Sequence, residues 1–381
     1  MDNEIKYIGF YDVDEYIHQN RNTFLAATNK MNYIALALVK SGYKVDIISP
    51  SWSGNKKGFY EGRKEFIAQS IRLIVGSTFG AQNRILRYFR IFWSWLFLFM
   101  FICFNTKKDE KVLVYHSIML MKPIMLAQKF KKFKIILEVE EIYQDVAKFI
   151  EKTNKDELKF IESANRYIFP TELLNQKLNT TNKPYTIITG TYQVEDDRKD
   201  KYNDHNIHII YAGTFDPRKG GALAAAAAAE YLSENYHLHI IGFGSQVDKK
   251  NLLLKIEEIS KKTKATVTYD GLLSGEEYIR FIQKCQIGLS TQSPEAAYNE
   301  TSFPSKILSY MANGLRVVSI RIKAIETSEI GNSVYYYEEP KPEEIAKAIM
   351  AIDLKEPYDS RELIRKLDKK FREKIKELLE N

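Results

Sequence analysis

At 381 residues the chain exceeds what one ordinary core organises and divides most naturally into two domains of roughly 150 to 200 residues. A hydrophobic share of 45% with 28% charged residues is that of a globular protein and excludes disorder for the bulk of the chain. The net charge of +7 comes from 56 basic and 49 acidic residues spread along the whole length. That balance suits an anionic ligand or an anionic membrane face; without a zinc-finger spacing, an RRM signature or a long basic-aromatic stripe it excludes a nucleic-acid partner.

The start, MDNEIKYIGFYDVD, carries charge and enters a strand directly, so no signal peptide and a cytoplasmic location are expected. Cys103 and Cys285 lie far apart in apolar segments, with no CxxC spacing or His-rich neighbourhood, and read as buried thiols of a reducing compartment. Strand-length apolar runs follow one another at KYIGFY, KVDIIS, IRLIVG, KVLVYH, KIILEV, RYIFP and YTIIT, and NKMNYIALALVKSGYK predicts a helix closed by Gly42. The run IFWSWLFLFMFICF, Ile91 to Phe104, gives only ~21 Å of helix against a hydrocarbon core of ~30 Å, too short to span. Arg84, Arg87 and Arg90 recur every third residue just before it and share a helix face. Segment 84–104 is therefore expected either to lie peripherally on a bilayer surface or to be buried against the sheet.

The polar stretch GTYQVEDDRKDKYNDHN reads as a linker over 191–205, after which the strand rhythm restarts at IHIIYAGTF, HLHIIGFG, ATVTYDG, QIGLST, RVVSI and SVYYY. GGALAAAAAAEYL predicts a closely packed helix, because alanine is the best helix former. The last stretch, SRELIRKLDKKFREKIKELLE, predicts one charged amphipathic helix. The fold class expected is α/β, with two doubly wound, Rossmann-like domains facing across a cleft. Their expected bounds are 1–190 and 206–352, with 353–381 packing back on the first domain.

In an open parallel sheet, ligands sit outside the carboxyl ends of the strands. The loop TFDPRKGG, after IHIIYAG, offers glycines for close backbone approach, Pro217 for a turn, and Arg218 and Lys219 as positive charge where a helix begins; a diphosphate suits it. In SFPSKILSYMANG, Phe303 and Pro304 lead into Ser305 and Lys306 in the first turn of a helix, where unpaired N–H groups favour an anion. In LEVEEIY, alternation sends Glu138 and Glu140 to one face, to bind acceptor hydroxyls or to form salt bridges.

The blocks YAGTFDPRKGG, HIIGFGS, VTYDGLLSGEEYIRFIQKCQIGLS and FPSKILSYMANGLRVVS, in this order, resemble the donor-binding domain of GT-B glycosyltransferases of family 4. The similarity is greatest to the bacterial PSK type of surface-polysaccharide assembly, and it covers roughly 205–350. It implies retaining transfer from a nucleoside-diphosphate sugar, a UDP-sugar, to a lipid-linked glycan or oligosaccharide acceptor, with no metal and no cofactor. It further implies that Lys219, Arg218, Ser305 and Lys306 hold the diphosphate, that Gly213 and Gly244 let the backbone come close, and that Gly271 and Leu272 flank the base. His116, ending KVLVYH, would face the donor sugar, and Asp12 of the DxD in YDVDEY would line the acceptor pocket rather than hold a metal. The chain departs from the family pattern twice. Thr214 stands where many members have an arginine, and Ser309 stands where the later of two glutamates binds the ribose; Glu300, nine residues earlier, would reach the sugar instead. Two other functions stay open at this point: a GT-B-fold UDP-sugar epimerase, and a catalytically inactive nucleotide-sugar-binding subunit of a polysaccharide assembly complex.

Overall fold

Both halves build a sheet whose strands run outward in two directions from a central pair, and each half is a unit of its own. The computed structural model describes residues 3–143, 151–217, 221–295, 299 and 301–380. One unit comprises Met1–Thr191 with Lys369–Asn381, the other Tyr192–Asp368.

In the first unit the strands are β1 (Glu4–Ile8), β2 (Lys44–Ser49), β3 (Phe59–Tyr60), β4 (Arg63–Ala68), β5 (Ile71–Val75), β6 (Thr78–Phe79), β7 (Lys111–Tyr115), β8 (Lys134–Glu138), β9 (Arg166–Phe169) and β10 (Tyr185–Ile187). Eight of them form one sheet in the order β10-β9-β8-β7-β1-β2-β5-β4, parallel except for β4. The chain turns from one direction to the other between β1 and β7, so that pair is the switch point. Strand β4 escapes the sequence pattern: RKEFIA is polar and half-exposed in alternation, as befits an antiparallel edge with one face in water. The predicted helix after β1 spans Leu25–Lys40, and Gly42 follows it at φ +92°, a conformation glycine adopts without cost.

The apolar segment forms a 22-residue helix, Arg84–Asn105, about 33 Å long. The length argument against spanning therefore fails: the helix is long and apolar enough to cross a membrane by length and composition. Arg90, Ser94, Leu98 and Ile102, four residues apart, face the interior, and Leu98 and Ile102 join the core of Val112, Val114, Leu137 and Phe160. The three arginines do not share an exposed face. Arg90 is buried and donates to Asn55 O at 3.3 Å, while Arg84 and Arg87 remain in solvent.

The second unit holds β11 (Ile207–Thr214), β12 (Tyr236–Phe243), β13 (Thr266–Gly271), β14 (Ile287–Ser290), β15 (Arg316–Ile320) and β16 (Val334–Tyr337). All are parallel, in the order β13-β12-β11-β14-β15-β16, and β11 and β14 are the switch pair. Right-handed crossovers then put helices on both faces. The alanine run is helical over Ala222–Ala228, with Ala222, Ala225, Ala226 and Ala228 buried. The segment read as a linker is packed on this unit: Arg198 N–H donates to Gln283 Oε1 at 2.8 Å and Glu195 N–H to Ala312 O at 3.0 Å. Its polarity reflects ion pairs such as Arg198 with Glu276 at 2.9 Å.

The final helix is Arg361–Glu380, and its residues from Lys369 onward belong to the first unit. There Phe371 stacks on Tyr33 with centroids 5.9 Å apart, Ser41 Oγ donates to Arg372 O at 3.3 Å, and Lys111 and Arg166 donate to the carbonyls of Leu379 and Leu378.

Candidate functional site

The switch pair of the second unit is tied to the helix Lys306–Ala312 by one side chain. Tyr310, fully buried, accepts from Ala212 N–H on β11 at 2.8 Å and donates to Leu289 O on β14 at 3.3 Å. The helix exists because Ile307, Leu308, Tyr310 and Met311 form its apolar face, and it stops at Asn313 before Gly314 at φ +88°. With Tyr310 clamped, Lys306 one turn earlier is carried to the carboxyl end of β11, where ligands of open parallel sheets bind.

There Lys306 Nζ lies 4.2 Å from the centroid of the Tyr211 ring, and a Cβ at Gly213 would sit 3.0 Å from it. The bare backbone of Gly213 leaves room for the ammonium, and the ring face attracts it. Among the described residues no hydrogen bond or carboxylate reaches Nζ, and desolvation alone lowers its pKa from 10.5 to about 8. A partly desolvated cation with no counter-ion among the described residues is a site for an anion. Two residues read from separate sequence blocks, Gly213 and Lys306, are thus brought into one place. Ser305 is exposed at the start of the same helix, and Phe303 and Pro304 before it are half-buried. Ser305 O accepts from Ser309 N–H at 3.2 Å and Pro304 O from Ile307 N–H at 3.1 Å, which form the first turn.

Around this point the other residues have definite roles. Thr214 Oγ1 accepts from Asp216 N–H at 3.2 Å, shaping the loop rather than supplying charge. Tyr211 accepts from Gly221 N–H and donates to Thr214 O, both at 3.0 Å, holding both ends of that loop. Gly244 packs on Phe215, where a Cβ would lie 2.8 Å from the Phe215 Cβ. Gly271 sits at φ +91° with open space where a side chain would be, and the Leu272 side chain beside it is exposed. Ser309 Oγ bonds the Tyr278 hydroxyl at 3.1 Å, so a neutral pair fills the place where the resemblance leads to a glutamate. Arg218, Lys219 and Glu300 lie outside the described residues.

In the first unit the carboxylate alternation places Glu138 and Glu140 in one cluster. Lys30, buried, forms an ion pair with Glu140 Oε1 and donates to Ile188 O, each at 2.9 Å, and Tyr7 donates to Glu138. Burial first, then the neighbouring Glu140 charge, pushes Glu138 up to about 8, so it is a neutral carboxyl at pH 7. Glu138 is 0% exposed, so it is a core carboxyl and not the acceptor ligand expected of it; Glu140, half-buried at the carboxyl end of β8, stands where ligands of such a sheet are met.

Two further expectations for this unit need correction. His116 does not face an open site: it is 2% exposed, packed between Tyr143 and Phe160, with Nε2 3.5 Å from Glu157 Oε1. Burial lowers its pKa to about 4, so it is a neutral core imidazole. Asp12 is consumed by ion pairs with Arg63 and, at 3.6 Å, Arg21, whose guanidinium also donates to Ser51 O and Gly76 O. It is a structural anion, unavailable to an acceptor or a metal.

Sequence reasoning missed Tyr211, Tyr278 and Tyr310, because a tyrosine in an apolar run reads as core. It also missed a histidine cluster. His208, His237 and His239 converge because parallel pairing sets His208 opposite His237, and strand alternation puts His237 and His239 on one face. The HLH triplet was the available signal.

Residues 206–352 match the family model of Glycosyl transferases group 1. No curated protein matches the chain in sequence. Among solved structures, an E. coli trehalose-6-phosphate protein bound with UDP-2-fluoro glucose is similar at a TM-score of 0.67 and 11% identity, covering 99% of this chain and 98% of that one. HepE of Anabaena, in complex with UDP and glucose, gives 0.62 and 11%, covering 99% of both chains. Sucrose-phosphate synthase of Thermosynechococcus elongatus gives 0.59 and 16%, covering 99% and 95%. At such identities the structural likeness establishes the fold, and the family model gives the activity class. The chain carries a Glycosyl transferases group 1 domain on a GT-B fold, and it is a glycosyltransferase.

Proposed function

We propose that this glycosyltransferase, of the family 4 type, moves a hexosyl group with retention from a UDP-sugar to a lipid-linked glycan during surface-polysaccharide assembly at the cytoplasmic face of a membrane. The observation that carries the donor half of this reading is the desolvated Lys306 ammonium beside Gly213, without a counter-ion among the described residues, in the domain that matches the family model. Two of the similar structures, bound with UDP-2-fluoro glucose and with UDP and glucose, favour uridine as the base. As the glycosidic bond breaks, charge grows on the leaving diphosphate. Lys306 strengthens its hold at that moment, which is what lowers a barrier. Arg218 and Lys219 would add to that charge and Ser305 a hydrogen bond; the exposed Leu272 would flank the base. Attack from the same face, with the diphosphate taking the acceptor proton, then needs no separate base. Glu140, half-buried beside Lys30, would bind an acceptor hydroxyl. In this reading the transfer step requires neither a cofactor nor a divalent ion.

The reading as an inactive binding subunit has one observation in its favour, the Tyr278–Ser309 pair at the expected glutamate position. A panel of UDP-sugars incubated with lipid-linked acceptor separates the two. The enzyme releases UDP in an acceptor-dependent manner, whereas a binding subunit shifts the melting temperature with a sugar nucleotide yet releases nothing. Absence of both effects across the panel would sink the donor assignment.

The acceptor half rests on the helix Arg84–Asn105. Ile85, Phe89, Phe92, Trp93, Leu96 and Met100 are exposed, and Phe99 is edge-on to the exposed Phe130 at 6.0 Å. Basic residues flank this apolar face: Arg84, Arg87, Lys129 and Lys132 are exposed. An apolar face bordered by cations fits an anionic bilayer surface, each surface cation contributing about 1 kcal/mol. The chain is expected to float with anionic liposomes at low salt. Arg84→Glu with Arg87→Glu should lower the bound fraction several-fold, and Phe89→Ser with Phe92→Ser should abolish binding, with little change in melting temperature. A wild-type chain that stays at the bottom of the gradient removes the support for a lipid-linked acceptor.

A further inference from the structure

We propose that His208, His237 and His239 form a binding site for one divalent transition-metal ion, zinc by preference, in the second unit. One nitrogen from each ring lies within 4.8 Å of the other two. His208 and His239 are 1% and 2% exposed, and His237 is half-buried.

The hydrogen bonds around the three rings decide which nitrogens carry protons. His208 Nε2 lies 2.9 Å from Asp204 Oδ1 and His239 Nδ1 lies 3.2 Å from Asp270 Oδ2, and a carboxylate only accepts, so both nitrogens are N–H donors. Thr268 gives its hydroxyl hydrogen to Asp270 Oδ2 at 2.8 Å, so its oxygen accepts from His237 Nε2–H at 3.1 Å. Each neutral ring has then spent its one proton outward. The inward nitrogens, His208 Nδ1 and His239 Nε2, are left as lone pairs facing each other at 2.9 Å.

Two lone pairs at that distance repel unless a positive charge lies between them. A proton would serve if one ring became imidazolium. A metal ion serves equally, and the third ring, stacked on His239 with centroids 3.9 Å apart, would join it by turning off that stack. Tetrahedral zinc with nitrogen ligands at about 2.0–2.1 Å sets those ligands about 3.3 Å apart, so His208 and His239 would part by only a few tenths of an ångström. The outer partners are those that metal-bound imidazoles require, since a carboxylate or hydroxyl on the far nitrogen fixes ring and tautomer. Burial makes this a structural ion. It would pin β11 to β12, five residues before Gly213 and three before Gly242.

Cobalt(II), added alone to the untagged full chain, is the test. Intense visible bands of a tetrahedral nitrogen site should saturate at one equivalent and vanish on adding zinc. His239→Ala and His237→Gln should each abolish them, and UDP affinity in His237→Gln should stay within two-fold of wild type. His237→Gln, at the half-buried ring, decides the matter by itself if His239→Ala fails to fold. No bands at millimolar cobalt would mean that His208 and His239 share a proton, and bands kept in His237→Gln would place the metal elsewhere; either result overturns the proposal.

Discussion

Replacing Lys306 by methionine is expected to weaken UDP binding about 30- to 150-fold, or 2–3 kcal/mol, while making the empty protein more stable. Both effects come from one fact: the ammonium is desolvated against Tyr211 with burial as the only influence on its pKa, lowered to about 8. The empty site therefore bears an unmet charge that a diphosphate would neutralise. The unfolded chain titrates this lysine at 10.5 and the folded chain at about 8, so between those values the unfolded state binds more protons and stability rises with pH. Below pH 8 the cost of the buried charge is present in full. Because Lys306 is only half-buried, the gain in Lys306→Met should be about 1–2 kcal/mol at pH 7. That gain should fade above pH 8. Wild-type UDP affinity should fall across the same range as the ammonium is lost, while the variant's stays flat. Calorimetric titration at pH 7 and pH 9, with thermal melts at both, reads all four numbers. Equal UDP affinity in the two proteins would show that Lys306 is a packing residue.

What was legible in the sequence was what strands and their ends determine locally. The alternation of strands and helices gave both sheets, and the glycine and lysine blocks at strand ends gave Gly213 and Lys306. Their meeting depends on Tyr310, whose two bonds reach 98 and 21 residues back along the chain. No local pattern separates such a tyrosine from ordinary core. The same limit misled the reading of His116. Its place at a strand end was right, but Phe160 and Glu157, packed over it from a later helix, make it interior. Asp12 read as a lining residue of the acceptor pocket because Arg21 and Arg63, which neutralise it, lie elsewhere in sequence. Arg90 shows the converse error. Spacing by three puts it near Arg84 and Arg87 on a helix, yet the interior stripe of Ser94, Leu98 and Ile102 claims it. Periodicity locates a face; which face is buried depends on partners that periodicity does not name.

The substitution with the largest expected effect on the fold is Gly242→Ala. Gly242 pairs with Gly213 across β12 and β11, and its φ of +140° lies where side-chain-bearing residues are strained. A Cβ there would sit 1.8 Å from Gly213 O and 2.9 Å from Gly213 C. These are backbone atoms, which cannot rotate aside as the end of a side chain can, so the two strands must separate at their carboxyl ends. That separation moves Gly213, and with it the space that admits Lys306 Nζ. Strain and the displaced pairing together should cost about 3 kcal/mol or more. Gly244→Ala, two residues on, is the control. Its Cβ would meet the Phe215 side chain at 2.8 Å, a contact that can yield, and about 1 kcal/mol is expected. Urea unfolding measures the first effect, and UDP titration at 10 °C, where both variants stay folded, measures the second. Gly242→Ala should lose UDP binding while Gly244→Ala keeps most of it. If Gly242→Ala matches wild type in both measurements, the close approach of β11 and β12 is not what shapes the diphosphate site.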